Sequence, residues 1–432
     1  MLEFLVLGSV VGIIAFTRLP LGFVMMFCGA AGIAALHPRG LSAAMAISEQ
    51  QIMNLAMNYQ FSVLPLFILM GVFVVQAGLA NELFEAARRW VGHYPGGLGM
   101  ATILACGGFS AMSASSSAAS ATMAHIAVPE MKSAKYDDGF AAGSIAAGGT
   151  MGILIPPSSA LIIYALLTQE SVSELFVAGI IPGLMQIGFY IIVMAIVARF
   201  LPSWAPRGTV YTMKDRFAAL WKIWGVLFLF GLVMIGLVCG WFTATEAGGI
   251  GAGGAFLFVL ARRKLTFKVF ARSLLDTARI STMIFIVASG ALVLNQFINL
   301  SGVPGDVVRF IESMHLSPPM VILCLIVFYT LLGCLMDGYA MIFLTVPIVA
   351  PIVSGLGYDL VWWGIVTVLV VEISLITPPV GLNVFILKAL LPELPIVKIF
   401  KGIMPYLVSD VARLLLILAF PAVTLLLPSL IT

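Results

Sequence analysis

Long apolar runs with few charged interruptions extend along almost the whole chain, and this pattern constrains the fold more than any motif does. Hydrophobic residues make up 61% of the 432 residues, and charged residues only 9%. A soluble protein carries about 25% charged residues, so this chain could not cover a water-exposed surface. The runs are continuous rather than alternating, which argues against a membrane β-barrel and predicts an all-α integral membrane protein. The net charge is only +3 and no basic stripe is present, so a nucleic-acid partner is not expected.

The apolar runs predict ten transmembrane helices and two re-entrant hairpins. The helices are expected at 3–17, 21–37, 60–78, 139–168, 174–199, 223–239, 244–261, 273–300, 361–390 and 404–428. The hairpins are expected at 98–130 and 318–352, because small or polar residues interrupt each of these runs near its middle. Non-helical backbone at membrane depth is tolerated only where protein or water surrounds it.

Positive charges support this topology. All but four of the 22 Lys and Arg residues fall on one side of the membrane, which the positive-inside rule makes cytoplasmic. Arg39 and Arg309 fall on the other side, and Arg279 and Arg413 are ambiguous. Both termini then face outward, and we expect a multi-pass membrane protein in contact with membrane lipids. Two amphipathic stretches, 80–93 and 303–315, are typical of helices that lie at the membrane surface.

The chain also repeats itself. Ile155-Pro156-Pro157 recurs as Thr377-Pro378-Pro379, and the Ser115 region aligns with Asp337, both at an offset of 222 residues. Further matches near this offset are Pro129 with Pro351, Gly179-Ile-Ile-Pro182 with Gly402-Ile-Met-Pro405, and Gly78 with Gly302. Each predicted half has five crossings, an odd number, so the halves would have opposite orientations. We expect a first inverted repeat at 1–200, a cytoplasmic linker at 201–222 and a second inverted repeat at 223–432.

Inverted repeats with broken helices at matching positions are the architecture of secondary transporters, and the breaks mark the binding site. The first hairpin tip contains four serines at 113 and 115–117, whose hydroxyl oxygens suit a small cation or a carboxylate. The second tip contains Asp337-Gly338, and a carboxylate at membrane depth is costly enough to be read as functional by default. Each Pro–Pro pair removes backbone donors and should unwind its helix, which exposes carbonyl groups. The structural alternatives are small-residue packing for the serines, a paired or capping carboxylate for Asp337, and simple kinks at the prolines.

Four other polar residues have two interpretations. Glu246 is either a solvated loop carboxylate or part of the site, and Glu372 either pairs with a cation or lies in the site. Asn295 either joins two helices by a hydrogen bond or contacts substrate. His125 is more simply explained by packing than by chemistry.

Taken together, these motifs resemble the large membrane subunit of tripartite ATP-independent periplasmic (TRAP) transporters, in the ion transporter superfamily. The stretches that carry the resemblance are Leu64–Gly71, Pro95–Gly99, Ala146–Pro157, Ala178–Gly183, Thr245–Ala247, Met336–Gly338 and Glu372–Asn383. The resemblance implies a sodium-coupled importer of an organic acid, such as a dicarboxylate or sugar acid, that works by an elevator mechanism. A periplasmic binding protein would deliver the acid, and a small four-helix membrane subunit would be a partner on a separate chain.

The resemblance also implies two Na⁺ sites, each between a hairpin tip and a Pro–Pro break, and no organic cofactor. Carried over position by position, the first site comprises Ser113, Ser115, Ser116, Gly152 and Pro156. The second comprises Gly333, Asp337, Thr377 and Pro379. Candidates for substrate contact are Ser117, Ser158, Gly338, Asn383 and Asn295. Two features depart from the family pattern: the first tip reads Ser-Ala-Ser-Ser-Ser where Ser-Gly-Ser-Ser is commoner, and helix 273–300 has no Arg between 280 and 300, where some members that take acidic sugars carry one.

Other functions fit less well. A stand-alone ion-coupled carboxylate carrier or Na⁺/H⁺ antiporter of the same fold is the main alternative, but a proton route would need more intramembrane carboxylates. An intramembrane serine hydrolase using Ser115 and His125 would lack the Gly-x-Ser-x-Gly motif and would leave the repeat unexplained. A channel is disfavoured because paired broken hairpins suit alternating access better than a continuous pore. We therefore do not expect an enzyme.

Overall fold

The computed structural model describes residues 19–113, 115–313, 315–334 and 336–431, and these ranges are mostly helical. Their first part contains α1 (Leu21–Leu36), α2 (Leu41–Met57), α3 (Val63–Ala77), α4 (Leu79–Val91), α5 (Gly97–Ser113), α6 (Ser116–Ser133), α7 (Asp138–Leu154), α8 (Ser159–Thr168) and α9 (Val172–Phe200). Their second part begins with α10 (Met213–Lys222), α11 (Trp224–Val238), α12 (Ala244–Ala261), α13 (Phe267–Ser301) and α14 (Val303–Ser313). It continues with α15 (Pro318–Gly333), α16 (Gly338–Gly355), α17 (Leu360–Ser374), α18 (Leu382–Leu390), α19 (Ile396–Ala419) and α20 (Ala422–Ile431). Within the described ranges, β-structure is limited to one isolated bridge between Pro95 and Arg207.

The helical membrane character is confirmed. By length and composition, seven helices of the described ranges could cross a membrane, or eight if the bent pair formed by α10 and α11 counts as one span. The predicted helix 3–17 lies outside the described residues, and α1 and α17 have only 16 and 15 residues. Helix α16, predicted as a hairpin arm, is itself long and apolar enough to span. The count of ten crossings and the re-entrant course of the hairpins therefore stay predictions.

Several boundaries differ from the predicted ones. Helix α2 was not predicted, because the polar run Ser48-Glu-Gln-Gln51 breaks up its apolar pattern. The predicted linker 201–222 ends in α10, and α13 begins at Phe267 rather than at 273. The predicted helix 404–428 is two helices, α19 and α20, which meet at Phe420 and Pro421. A proline cannot donate the backbone hydrogen bond that would continue α19 through this point.

The order of helices in the first half recurs in the second half. Helices α3 and α4 meet at Gly78, and α13 and α14 meet at Gly302, both glycines being left-handed with φ of 80° and 78°. Two interrupted pairs follow in each half, first α5–α6 and α7–α8, and later α15–α16 and α17–α18. The two Pro–Pro peptide bonds, at 156–157 and 378–379, lie in the breaks after α7 and α17, and both are cis.

The helices that precede the two breaks lie at the centre of the protein. Every residue of α7 from Gly139 to Leu154 is buried, and so is every residue of α17 from Val361 to Ser374. A helix that is apolar on all sides is surrounded by protein or by lipid, and the burial of α7 and α17 shows that other helices surround them. The first break, at 155–158, is mostly buried as well, whereas Pro378, Pro379 and Val380 of the second break are exposed.

A buried ionic cluster lies among α9, α17 and α19. The Arg413 Nη2 atom is 2.9 Å from Glu372 Oε2 and 3.1 Å from Asp410 Oδ1, and all three side chains are at most 1% exposed. Arg413 also donates a hydrogen bond to the carbonyl oxygen of Pro182 at 3.4 Å. Of the two interpretations of Glu372, the structure therefore shows pairing with a cation.

Side chains of the first half complete this cluster. Tyr190 donates a hydrogen bond of 2.6 Å to Asp410, and Gln186 donates one of 3.2 Å to the hydroxyl of Thr150 on α7. Thr150 and Glu372 are 222 residues apart, and Tyr190 and Arg413 are 223 apart, which are the offsets of the internal repeat. Equivalent positions of the two halves thus meet in one polar cluster, which joins α7 and α9 to α17 and α19.

Replacing Arg413 by Leu should destabilise the protein strongly, because two buried carboxylates would lose their cation. Breaking a buried ion pair by removing one partner costs about 3–5 kcal/mol. Thermal unfolding in detergent should show a large fall in the midpoint for Arg413→Leu and a smaller fall for Arg413→Lys. The exposed Arg39 provides the control, since Arg39→Leu should leave the midpoint unchanged. An unchanged midpoint in Arg413→Leu would show that the cluster does not hold the two halves together.

Candidate functional site

The two predicted hairpin tips meet in space. We call residues 113–117 tip 1 and residues 333–339 tip 2; Ala114 and Leu335 are not among the described residues. A narrow cleft of about 30 Å³ is lined by Ser115, Ser116 and Ser117 of tip 1 and by Asp337, Gly338 and Tyr339 of tip 2. Ile153 and Ala160, on either side of the first Pro–Pro break, and Val371 and Leu375, before the second, line the same cleft. The structure thus brings both tips together with both broken helices.

Helix ends give the cleft its backbone chemistry. Ser115 caps α6 by accepting a hydrogen bond from the Ala118 backbone N–H at 3.3 Å. Asp337 caps α16 by accepting one from the Tyr339 backbone N–H at 3.1 Å. The N-termini of α6 and α16 therefore begin at the cleft, while α5 and α15 end beside it. Helix N-termini favour anions and helix C-termini favour cations, so this arrangement can hold a small cation and a carboxylate close together.

Glycines allow two helices to press against the backbone of tip 1. A Cβ atom on Gly71 of α3 would lie 2.8 Å from the Ser113 carbonyl oxygen. A Cβ atom on Gly152 of α7 would lie 3.1 Å from the Ser115 carbonyl oxygen. The Ser113 hydroxyl is buried and has no hydrogen-bond partner among the described residues. Of the predicted first-site residues, Ser113, Ser115, Ser116 and Gly152 therefore lie together, with one buried hydroxyl oxygen available to a ligand.

Each tip is bonded to the other half of the protein. The Asn383 amide nitrogen, in the first turn of α18, donates hydrogen bonds to the Ser116 hydroxyl at 2.8 Å and to the Ala146 carbonyl at 3.1 Å. The Ser159 hydroxyl, at the start of α8, lies 2.7 Å from the Tyr339 hydroxyl of tip 2. Tip 1 is therefore tied to the helix after the second break, and tip 2 to the helix after the first.

The cleft adjoins a much larger cavity of about 790 Å³ between the tips and helices α1, α3 and α13. This volume is in the range of sites for small organic molecules. Polar or charged side chains from both halves line it, namely those of Ser113, Ser115, Ser117, Ser159, Arg279, Thr282, Asp337 and Tyr339. Ser159, Tyr339 and Arg279 were not predicted as site residues. For Arg279 a signal existed, because this cation directly precedes the long apolar stretch 280–301.

Two predicted substrate contacts lie elsewhere. Ser158 is fully buried and caps α8, accepting from the Leu161 N–H at 3.2 Å and donating to the Ile153 carbonyl. Asn295 donates to the Phe343 carbonyl at 3.1 Å and so joins α13 to α16. Neither side chain lines the cleft or the cavity. In this structure their polar groups serve helix capping and helix packing, and their contact with substrate stays a prediction.

Fewer of the predicted second-site residues than of the first-site residues line the cleft or the cavity. Gly333 lies against Ser374, because a Cβ atom on this glycine would clash with the Ser374 hydroxyl. The Thr377 hydroxyl donates to the Ile373 carbonyl at 2.5 Å, and Pro379 is exposed. Thr377 and Pro379, like Pro156 of the first site, do not line the cleft or the cavity. Asp337 and Gly338 are the predicted residues of this half that do.

Residues 7–423 match the DctM component of the tripartite ATP-independent periplasmic transporters. The chain belongs to this family. It is 34% identical over 404 residues to the C4-dicarboxylate TRAP transporter large permease protein DctM of Pseudomonas aeruginosa, covering 90% of this chain and 93% of that protein. It is 30% identical to the 2,3-diketo-L-gulonate TRAP transporter large permease protein YiaN of Escherichia coli, over 96% of each chain. Identity with the sialic acid TRAP transporter large permease protein SiaM of Vibrio cholerae is 29%, over 98% of each chain.

A solved structure shares the fold. The YdaH transporter of Alcanivorax borkumensis matches with a TM-score of 0.64 at 15% sequence identity, over 90% of each chain. The resemblance found in the sequence is thus confirmed as membership of the TRAP family, in which this chain is a large permease subunit. A serine hydrolase is not supported, because His125 is exposed and lies ten residues along α6 from Ser115, about 15 Å along the helix axis.

Replacing Asn383 by Ala should loosen tip 1, because the bonds to Ser116 and to the Ala146 carbonyl would both be lost. Leaving buried polar groups without partners costs about 1–3 kcal/mol. A lower unfolding midpoint and faster amide hydrogen exchange confined to residues around tip 1 are the expected results. Asn54→Ala on the exposed face of α2 is the matched control, with no change expected. Unaltered exchange at tip 1 would mean that Asn383 does not hold it.

Proposed function

We propose that this large permease subunit imports an organic acid together with Na⁺, by elevator-type alternating access across the bacterial inner membrane. The observation that carries the proposal is the meeting of the two tips. In one cleft they combine buried oxygens, the ends of four helices and an opening to a cavity large enough for an organic acid.

The acid would be a carboxylate. Two helix N-termini and the serine hydroxyls of tip 1 are donors that suit a carboxylate group. The names of three relatives refer to C4-dicarboxylates, 2,3-diketo-L-gulonate and sialic acid, all of which contain a carboxylate. These names support a dicarboxylate or a sugar acid as the substrate class.

Sodium would bind at the tips. In transporters with broken helices, unwound carbonyls and half-helix C-termini coordinate the coupling ion. The unpartnered Ser113 hydroxyl and the close approach of Gly152 to tip 1 support a first site made by Ser113, Ser115, Ser116, Gly152 and Pro156. The Asp337 carboxylate supports a second site with Gly333, Thr377 and Pro379.

The elevator step needs the tips and the broken helices to move as one body. The bonds Ser116–Asn383 and Ser159–Tyr339 join each tip to the other half, and the Arg413 cluster joins the helices behind the breaks. These contacts support such a body. The repeated helix order supports inverted repeats, with both termini in the periplasm.

Two partners follow from membership of the family: a small membrane subunit and a periplasmic substrate-binding protein. We propose that the small subunit is a separate chain. The isethionate TRAP transporter permease protein DctMQ of Oleidesulfovibrio alaskensis is longer, since this chain matches only 58% of its length. That length difference leaves room for a further segment in DctMQ.

A proton-coupled carrier of the same fold is the alternative. The structure adds Asp410 to the intramembrane carboxylates, but Asp410 and Glu372 are both paired with Arg413. These two carboxylates are engaged in holding helices together, which favours the sodium-coupled proposal.

Na⁺ should stabilise the purified protein more than equal concentrations of K⁺ or choline. An ion that binds only the folded state adds RT ln(1 + [L]/Kd), or about 2.7 kcal/mol at one hundred times Kd. Asp337→Ala and the double variant Ser115→Ala/Ser116→Ala should reduce this gain, and Glu49→Ala on exposed α2 should not. Equal midpoints in Na⁺ and K⁺ for the wild-type protein would reject sodium coupling.

A further inference from the structure

Arg279 is a cation of α13 that the proposed function does not yet use. Its side chain lines the 790 Å³ cavity together with residues of both tips. No carboxylate among the described residues pairs with it. Asp276, one helical turn earlier, lies instead 3.8 Å from Arg272. A guanidinium that faces a cavity without a counter-charge is available to an anionic ligand.

The position of Arg279 along α13 distinguishes it from the basic residues at the membrane surface. The helix begins at Phe267 and has 35 residues. Arg279 is twelve residues from this start, about 18 Å along the axis. The basic residues that mark the predicted cytoplasmic side, such as Lys268 and Arg272, lie in the first two turns. Arg279 is the last charged residue of this helix, and the apolar stretch 280–301 follows it directly, so its guanidinium lies where the polar part of the helix meets the apolar part.

The surroundings of Arg279 would strengthen its attraction for an anion. Apolar side chains form most of the cavity wall, among them Ile68, Val72 and Met283. Asp337, at tip 2, is the other charged side chain among the described residues that line it. Arg279 is itself exposed, and the apolar walls focus its field towards the cavity.

We propose that Arg279 binds a carboxylate group of the transported acid in this cavity. The guanidinium presents a planar fork of N–H donors that matches a carboxylate in a bidentate way, which a lysine ammonium cannot reproduce. The inference rests on the proposed function, because it assigns a ligand contact within the same transport site. Arg279 thus selects carboxylates over neutral molecules of similar shape, while the tips hold the ion.

Ligand-dependent stability of the full-length protein tests this assignment. Thermal unfolding is measured in saturating Na⁺ and at constant ionic strength, with succinate, gluconate and N-acetylneuraminate as probes and succinamide as the neutral analogue. At least one acid should stabilise the wild-type protein and succinamide should not. Arg279→Gln should weaken the apparent affinity for that acid about tenfold or more, as expected for losing hydrogen bonds between charged groups. Arg279→Lys should give an intermediate loss.

Two controls separate this proposal from sodium coupling. Arg272→Gln, on the exposed part of the same helix, should bind the acid like the wild-type protein. All three variants should keep the wild-type response to Na⁺, which also shows that they are folded.

An intact Na⁺ response with wild-type acid affinity in Arg279→Gln would overturn the role of Arg279 alone. If the wild-type protein does not respond to Na⁺, sodium coupling is overturned. The acid titration without Na⁺ would then show whether Arg279→Gln binds the acid more weakly than the wild-type protein. If none of the acids stabilises the wild-type protein, the assignment of Arg279 is wrong.

Discussion

A charge buried among apolar helices must be paired, and the rest of this structure depends on how that requirement is met. Arg413, Glu372 and Asp410 are removed from solvent, and together they occupy a point where four helices from both halves converge. Separating these helices would leave unpaired charges in an apolar medium, which costs far more than separating apolar side chains. The Arg413–Glu372 pair joins α17 to α19, and hydrogen bonds from Tyr190 and Gln186 connect α9 and α7 to the same cluster. The two Pro–Pro breaks follow α7 and α17.

The candidate site is built from the ends of helices that are interrupted at the tips and at the breaks. Each break stops one helix and starts another, so backbone groups that a continuous helix would pair internally become available to a ligand. Glycines at 71 and 152 let neighbouring helices approach tip 1, and the bonds from Asn383 and Ser159 fix each tip against the opposite half. The ion and acid binding that we propose would thus depend largely on backbone geometry. The few side chains that add charge, Asp337 and Arg279, lie at the cavity wall.

Prediction from the sequence succeeded where the signal was local. Helical class, the positions of both tips and both breaks, and membership of the TRAP family all follow from runs and motifs of a few residues. It failed where the pattern was mixed, as in α2, and it left alternatives open where a polar side chain had two possible partners. Ser158 and Asn295 are polar residues near functional segments, yet one caps a helix and the other joins two helices. The sequence does not distinguish a polar residue that caps a helix or joins two helices from one that binds a ligand, because all three can occur at the same positions of a helix.

The sequence by itself determined that this protein is a helical membrane transporter subunit with a duplicated pattern of broken helices. Those properties depend on composition and on prolines and glycines, which act on their own backbone. Only the tertiary structure decided that Glu372 pairs with Arg413, that the Ser113 hydroxyl has no partner among the described residues and that Arg279 lines the cavity. Each of these depends on contacts between different helices, in some cases between halves more than 200 residues apart. No local pattern specifies which side chains such packing brings together.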